Sequence, residues 1–390
     1  VHVLQVTPYF PPSWAFGGIP RIVDGLSRAL VARGVQVTVL TTDAFDARRR
    51  APVGPDREHE GVRVLTLKNL SNRLAYGQQL FVPVGGPAVL DALGPVDVVH
   101  LHGHRHLLNN LAVAFTQRRG IPYVMTANGT LLRHERKQLI KLAWDLLISG
   151  PIPRGAARCV AVSAADAAGH VQAGIPADRV VRIPNGLDLG EFDPLPLPGA
   201  FRDAFGLGDA PVVAYLGQLS PRKGVEHLVQ AFSGGAMGAV RLVVAGNDMG
   251  ALQLARARAD GHVVFTGLLE GRERLALLAD ADVLVYPSTD EVFGLVPFEG
   301  LLCGAPVVVG DDCGCGELIA EAGAGLLVRH GDVEGLRARI RTLCADRVAA
   351  RAMVERGRRY IREHLGFDRV AARHQELYAD VVAQAAGTAS

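Results

Sequence analysis

Two carboxylates, Glu291 and Glu299, bracket the stretch "EVFGLVPFE", an E-x7-E segment with no other charge between them. Upstream, "YLGQLSPRKGVEHLVQAF" sets two adjacent cations, Arg222 and Lys223, behind a β-branched run. A carboxylate accepts the paired hydrogen bonds that a vicinal diol offers, and a cation pair receives a phosphate. Taken singly, either acid reads as a surface charge or a helix cap, and a lone "RK" as a solvated turn. Together they suggest an anion site with a diol-accepting acid, Glu299, beside it and Glu291 at its mouth.

The elements that must position these groups follow from the flanking sequence. "ADVLVYPS" has the β-branched, fully apolar character of a buried strand, so "TDEVFG" is its exit loop and Pro297 suits the first position of the next helix. Val296 then stands at the cap and Glu299 near the third helical position. Such a start leaves the N–H groups from about Gly294 through Phe298 unbonded, Pro297 excepted, and with the helix dipole they favour an anion. Gly294 lets a ligand approach the backbone. A capping box wants Ser or Thr at the cap, so Glu299 is expected to be free for a diol. Arg222 and Lys223 also open a helix, where cations oppose the dipole unless an anion holds them.

The same grammar runs through the whole chain of 390 residues, a length that accommodates two domains with their own cores. "VHVLQVTP", "VQVTVLTT", "VRVLTLKN", "VDVVHLHG", "PYVMTANG", "RCVAVS" and "VVRIPNG" alternate with helical patterns. After the Pro- and Gly-rich "NGLDLGEFDPLPLPGAF" the rhythm restarts with "PVVAYLGQ", "VRLVVAGN", "GHVVFTG", "ADVLVYPS", "APVVVGD" and "AGLLVRHG". Alternating strands and helices with short connections imply α/β architecture: two doubly wound domains with parallel sheets facing a cleft, joined by a linker near residues 186 to 200. Ligands of such sheets lie beyond the carboxyl ends of the strands. By that rule Gly17 and Gly18, in "PPSWAFGGIPRIVDGLSRAL", give the first domain a glycine-lined strand exit of its own.

Composition narrows the function classes. With 49% apolar and 21% charged residues the chain is globular, and a net charge of +2 gives no field that would favour nucleic acid. Five scattered cysteines, including the lone C-x-C of Cys313 and Cys315, fit a reducing cytoplasm and a structural role. No apolar run reaches the roughly 18 residues of a spanning helix, and "VHVLQVTPYF" lacks the pattern of a signal peptide. The chain has no G-x-G-x-x-G after a strand, no P-loop, no G-x-S-x-G and no H-E-x-x-H, so hydride transfer, P-loop chemistry, serine hydrolysis and zinc proteolysis lose support. Asp280 and Asp282 spell D-x-D at the entry of a strand, the wrong end for a ligand, and read as a turn. "HLHGHRH" alternates four histidines; a strand end with His102 and Gly103 lining the cleft is preferred to a metal site. In "RHERKQLIKLAWDLL" the basic edge that includes Arg133 reads as a solvated face over core, with contact to an anionic membrane as the alternative.

The combination of "GGIPRIVDGLSRALVARGVQVTVLTT", "PNGLD", "GQLSPRKGVEHLVQAF", the E-x7-E segment and an amphipathic terminal helix resembles retaining GT-B glycosyltransferases of family 4 (group 1) over nearly the whole length. The resemblance implies an acceptor-side Rossmann-like domain over 1–190, a nucleotide-sugar-binding one over 191–365, and a terminal helix, 366–390, that returns to the first. It implies that Glu299 binds the ribose diol, that Glu291 contacts the donor sugar, and that Gly294, Leu295 and Val296 donate to the diphosphate. Arg222 and Lys223 match the neutralising pair, and Gly217, Gly17 and Gly18 join the donor-side set. Asn128, in "MTANGT", stands where many relatives carry His, and His102, Gly103 and Arg133 fall on the acceptor side. The implied activity is metal-independent hexosyl transfer from a nucleotide sugar, with no cofactor, to a saccharide, lipid-linked or small-molecule acceptor. Rival readings are an isomerase or phosphorylase on the same plan, distinguished by whether an acceptor is needed, and a sugar-nucleotide binder without turnover.

Overall fold

A computed structural model describes residues 1–14, 18–46, 48–131 and 144–389. The chain divides into two compact units, Val1–Leu187 with Leu365–Ser390, and Asp188–His364. The first unit contains β1 (His2–Val6), β2 (Gln36–Thr42), β3 (Asp56–His59), β4 (Val62–Asn69), β5 (Pro83–Val84), β6 (Val98–His102), β7 (Tyr123–Thr126), β8 (Arg158–Ala161) and β9 (Val180–Arg182). They form one sheet in the order β3-β4-β2-β1-β6-β7-β8-β9, with β5 also on β4. Seven strands pair in parallel, at the runs the sequence marks. The charged "DREH" of β3 and the short β5 pair antiparallel with β4, so the sheet is mixed at that edge and not wholly parallel.

Period-two alternation explains the burial of both faces. Val3, Val37, Val39, Val64 and Val98 pack under the helix Gly18–Ala32 and the terminal helix Phe367–Ala389. Leu4, Leu40, Leu65 and Leu101 face the helix Leu107–Arg119 on the other side. The terminal helix is locked at its start: a Cβ on Gly25 would lie 2.0 Å, and one on Gly186 2.3 Å, from ring atoms of Phe367. Leu187 N–H donates to Leu365 O at 2.7 Å beside this point.

The second unit holds β10 (Val212–Leu216), β11 (Arg241–Ala245), β12 (Val263–Gly267), β13 (Val283–Tyr286), β14 (Val307–Gly310) and β15 (Gly325–Val328), all parallel in the order β12-β11-β10-β13-β14-β15. The order reverses direction between β10 and β13, which opens a crevice at their carboxyl ends. Both acids of the D-x-D serve the opposite end. Asp280 accepts from Gly199 N–H at 2.7 Å and Phe201 N–H at 2.8 Å, while Asp282 pairs with Arg202 at 2.6 Å and Arg347 at 2.7 Å. Among the described residues, no helix is long and apolar enough to cross a membrane.

Candidate functional site

The exits of β10 and β13 carry the residues that the sequence singles out. After β10 the chain passes through Gly217, at φ 150°, and reaches the 3-10 turn Pro221–Lys223, which Gly224 closes at φ 66°. A Cβ on Gly224 would stand 2.6 Å from Pro287 O, so only glycine lets this turn press against the exit of β13. Thr289 N–H donates to Arg222 O at 2.9 Å, and Arg222 Nη1 to Asp290 O at 3.2 Å, tying the two exits together.

Lys223 is buried, and its ammonium meets the Glu291 carboxylate in a short ion pair. Nζ also donates to Tyr286 Oη at 2.5 Å. Glu291 Oε2 further accepts from Tyr286 Oη at 3.1 Å and Ser288 Oγ at 3.1 Å. Burial works against the Glu291 charge, yet Lys223, then Arg222 and the Tyr286 hydroxyl, hold its carboxyl below the ordinary carboxylate range. Glu291 is therefore an anion at neutral pH.

The following helix runs Val296–Cys303 with Leu295 at its cap, so it begins one residue earlier than expected and Pro297 is its second residue. Phe298 and Glu299 N–H both donate to Leu295 O, at 3.0 and 3.1 Å, which removes Phe298 from the expected set of unbonded groups. Gly294, Leu295 and Val296 precede those first helical bonds, and their N–H groups form the amino end that favours an anion. Gly294, at φ 79°, is needed for its backbone and for space: a Cβ there would approach Cys315 Sγ to 3.0 Å and Tyr286 to 3.1 Å.

Glu299 departs from expectation. It is buried and pairs with Arg274 of the helix Gly271–Asp280, and Arg274 also reaches Glu191 Oε1 at 3.1 Å. Glu299 Oε2 is thus held by a counter-charge, which a buried carboxylate needs, and is not the unpaired acid expected. Arg274 lies in "GRERLALLAD", where the alternation of charged and apolar residues gives no sign that the second arginine turns inward. Tyr286 escaped notice as one more apolar strand residue. The C-x-C is structural: Cys313 caps the helix Gly314–Glu321 by accepting from Gly316 N–H at 3.4 Å, and the two Sγ atoms lie 3.2 Å apart.

Glu291, Arg222, Lys223, Gly217, Gly294, Leu295 and Val296 are thus gathered at one switch point, with Glu299 behind it. The remaining candidates belong to the first unit. Gly18 opens the helix Gly18–Ala32; Gly17 and Arg133 lie outside the described residues. His102 is 1% exposed and bonds Gln5 Oε1 at 2.6 Å, and a Cβ on Gly103 would come within 2.8 Å of the His106 ring. Both are buried and do not line an open surface: the His106 ring covers Gly103, and the His102 ring lies 4.0 Å from that of His100. Asn128, at φ 49°, follows β7, and neither amide heteroatom of its side chain has a hydrogen-bond partner although both are buried. Among the described residues no cluster of three or more His, Cys, Asp or Glu has metal-holding geometry.

Residues 16–191 match the model of Glycosyltransferase Family 4, and residues 200–360 that of Glycosyl transferases group 1. The GDP-mannose-dependent alpha-mannosyltransferase of Mycobacterium tuberculosis is 30% identical over 342 residues, covering 86% of this chain and 85% of that one. Among solved structures, sucrose-phosphate synthase from Thermosynechococcus elongatus superposes with a TM-score of 0.76 at 22% identity, covering 98% of this chain and 99% of the other. Anabaena HepE, in complex with UDP and glucose, gives 0.75 at 19%, covering 97% and 99%. These likenesses establish that the chain belongs to the group 1 glycosyltransferases, enzymes of GT-B fold that use nucleotide sugars.

Proposed function

We propose that the protein is a retaining glycosyltransferase that moves a sugar from a nucleoside-diphosphate donor to an acceptor hydroxyl, with no metal in the reaction. The observation that carries this reading is the meeting of Lys223, Arg222, Glu291 and the amino end of Val296–Cys303 at one sheet switch point. A nucleoside diphosphate leaves as a stable anion, so the transfer needs positive charge and N–H donors at the phosphates more than it needs an acid. Lys223, Arg222 and the N–H groups of Gly294 to Val296 supply both. Glu291 orients the transferred sugar. Glu299 receives the ribose diol while Arg274 fixes its direction. For retention, the bond from the anomeric carbon to the phosphate oxygen breaks as the acceptor oxygen attacks on the same face, and the departing oxygen takes the acceptor's proton. The role of Asn128 at the sugar rests on family resemblance. The acceptor is a saccharide, a lipid-linked sugar or a small molecule, in polysaccharide, glycolipid or glycosylated-metabolite synthesis.

The test is a thermal-shift panel of nucleotide sugars, opening with GDP-mannose because a relative is named for it, followed by transfer assays with and without EDTA. One donor is expected to raise the Tm, turnover is expected to require a second molecule and to survive chelation, and the product should keep the donor's anomeric configuration. An inverted product or activity lost with EDTA overturns this mechanism; turnover of the donor alone favours the isomerase reading.

A further inference from the structure

The last residue of β13 touches each part of the candidate donor site. Tyr286 is 4% exposed, and its hydroxyl accepts from Lys223 Nζ at 2.5 Å while donating to Glu291 Oε2 at 3.1 Å. Its ring centroid lies 4.8 Å from the same ammonium, within cation–π range. A Cβ on Gly217 would meet the ring at 3.6 Å, and one on Gly294 at 3.1 Å, so the ring also floors the exit of β10 and the loop ahead of Val296–Cys303.

The hydrogen bonds around Glu291 show what this arrangement does. Lys223, Tyr286 and Ser288 all converge on Oε2, which fixes one edge of the carboxylate. A lysine is a point charge on a flexible four-carbon stem, so the ion pair alone leaves its direction loose, and a third group bonded to both partners fixes it. We infer that Tyr286 is a positioning residue, which fixes the Lys223 ammonium and the Glu291 carboxylate in the orientation that donor transfer requires and does not itself touch the donor. This inference rests on the reading of Lys223 and Glu291 as donor-contacting groups. Burial, and then the charge of Glu291, push the phenol well above its ordinary value, so the hydroxyl keeps the proton that it donates. The groups facing Glu291 are Lys223, Arg222, Tyr286, Ser288, Tyr215 and Cys315; burial raises the pKa of Tyr215 and Cys315 as well, so neither ionises near neutral pH.

The test is Tyr286→Phe, which removes one oxygen and keeps the ring. kcat is expected to fall about tenfold to a hundredfold, the range of a lost hydrogen bond to charged groups. The donor KM should move by less than about threefold, on the same grounds of unchanged ground-state contacts. The acid limb of kcat/KM should shift to higher pH, because the hydroxyl helps to hold the Glu291 carboxyl down. A merely structural tyrosine would lower the Tm and leave that limb in place, and this result overturns the inference, as does a parental kcat. Should Tyr286→Phe fail to fold, 3,5-difluorotyrosine at position 286 keeps the shape and strengthens the donor, so the limb should move to lower pH; an unmoved limb refutes the role. Lys223→Met and Glu291→Gln separate the two levels: if both stay active the donor-site reading fails, whereas if both are inactive and Tyr286→Phe is parental only the positioning role fails.

Discussion

Acidification should unfold the first unit before the second, and the buried imidazoles set the size of the effect. Burial, first of all, drops His102 and His106 to a pKa of about 3 and His374 to about 4, with neighbouring His374, His104 and Arg373 respectively adding to the depression. In the unfolded chain these rings titrate near 6.5. A ring depressed by folding contributes stability that is present above pH 6.5 and is lost as the pH falls towards the folded pKa, since only the unfolded chain takes up the proton. At pH 5.5 each ring has then cost about 1.4 kcal/mol, and these three rings together about 4 kcal/mol, to which His100 and His170, also depressed by burial, add in the same direction; the sum is a large part of the 5–15 kcal/mol that holds a domain together. Carboxylates of the unfolded chain titrate near pH 4, so the window from 7.5 to 5.5 isolates the histidines. All buried histidines among the described residues belong to the first unit, as do both tryptophans, Trp14 and Trp144. Urea unfolding followed by tryptophan fluorescence therefore reports on that unit alone. His106 sharpens the test, because neither ring nitrogen has a partner and the ring meets Tyr9 and Phe81 edge-on. His106→Phe should lower the loss by about 1.4 kcal/mol. A fluorescence-detected stability that stays flat between pH 7.5 and 5.5 would refute the reasoning.

Two further outcomes follow from named contacts. Glu299→Ala should raise the donor KM and also destabilise the second unit by about 3–5 kcal/mol, because Arg274 is left as a buried cation tied only to Glu191 at the unit's rim. Exchanging Glu299 and Arg274 together for methionine should restore the denaturant midpoint but not donor binding, and a single Glu299→Ala with unchanged donor affinity would remove Glu299 from the site. Gly224→Ala should lower the thermal midpoint and abolish donor binding, since its Cβ would collide with Pro287 O at a backbone angle that side chains rarely adopt; calorimetry of the purified variant checks this.

The fold was legible because parallel strands buried on both faces announce themselves as β-branched runs, and thirteen such runs became strands. The two missed strands carry no such mark: "DREH" is charged because it lies at an edge, and Pro83–Val84 is too short for a period. At the site, Glu291, Arg222 and Lys223 stood out through their combination at two strand exits, each being an ordinary surface charge when taken singly. Arg274 and Tyr286 stayed hidden for opposite reasons. An arginine on a helix is by default solvated, and a tyrosine at the end of a strand is by default core, so only the tertiary contacts reveal that one neutralises Glu299 and the other joins Lys223 to Glu291. His102 misled because alternation along a strand tells which residues share a face, not whether that face is open.

The return of the helix Phe367–Ala389 to the first unit has a consequence during synthesis. On the ribosome the first 187 residues emerge with Gly25 and Gly186 shaped around a ring, that of Phe367, which has not yet been made. Residues 188–364 supply their own complete sheet and core and can fold as soon as they clear the exit tunnel. The half translated first is therefore the half finished last, and until then its valine-rich face lacks a partner and is the surface a nascent-chain chaperone would meet.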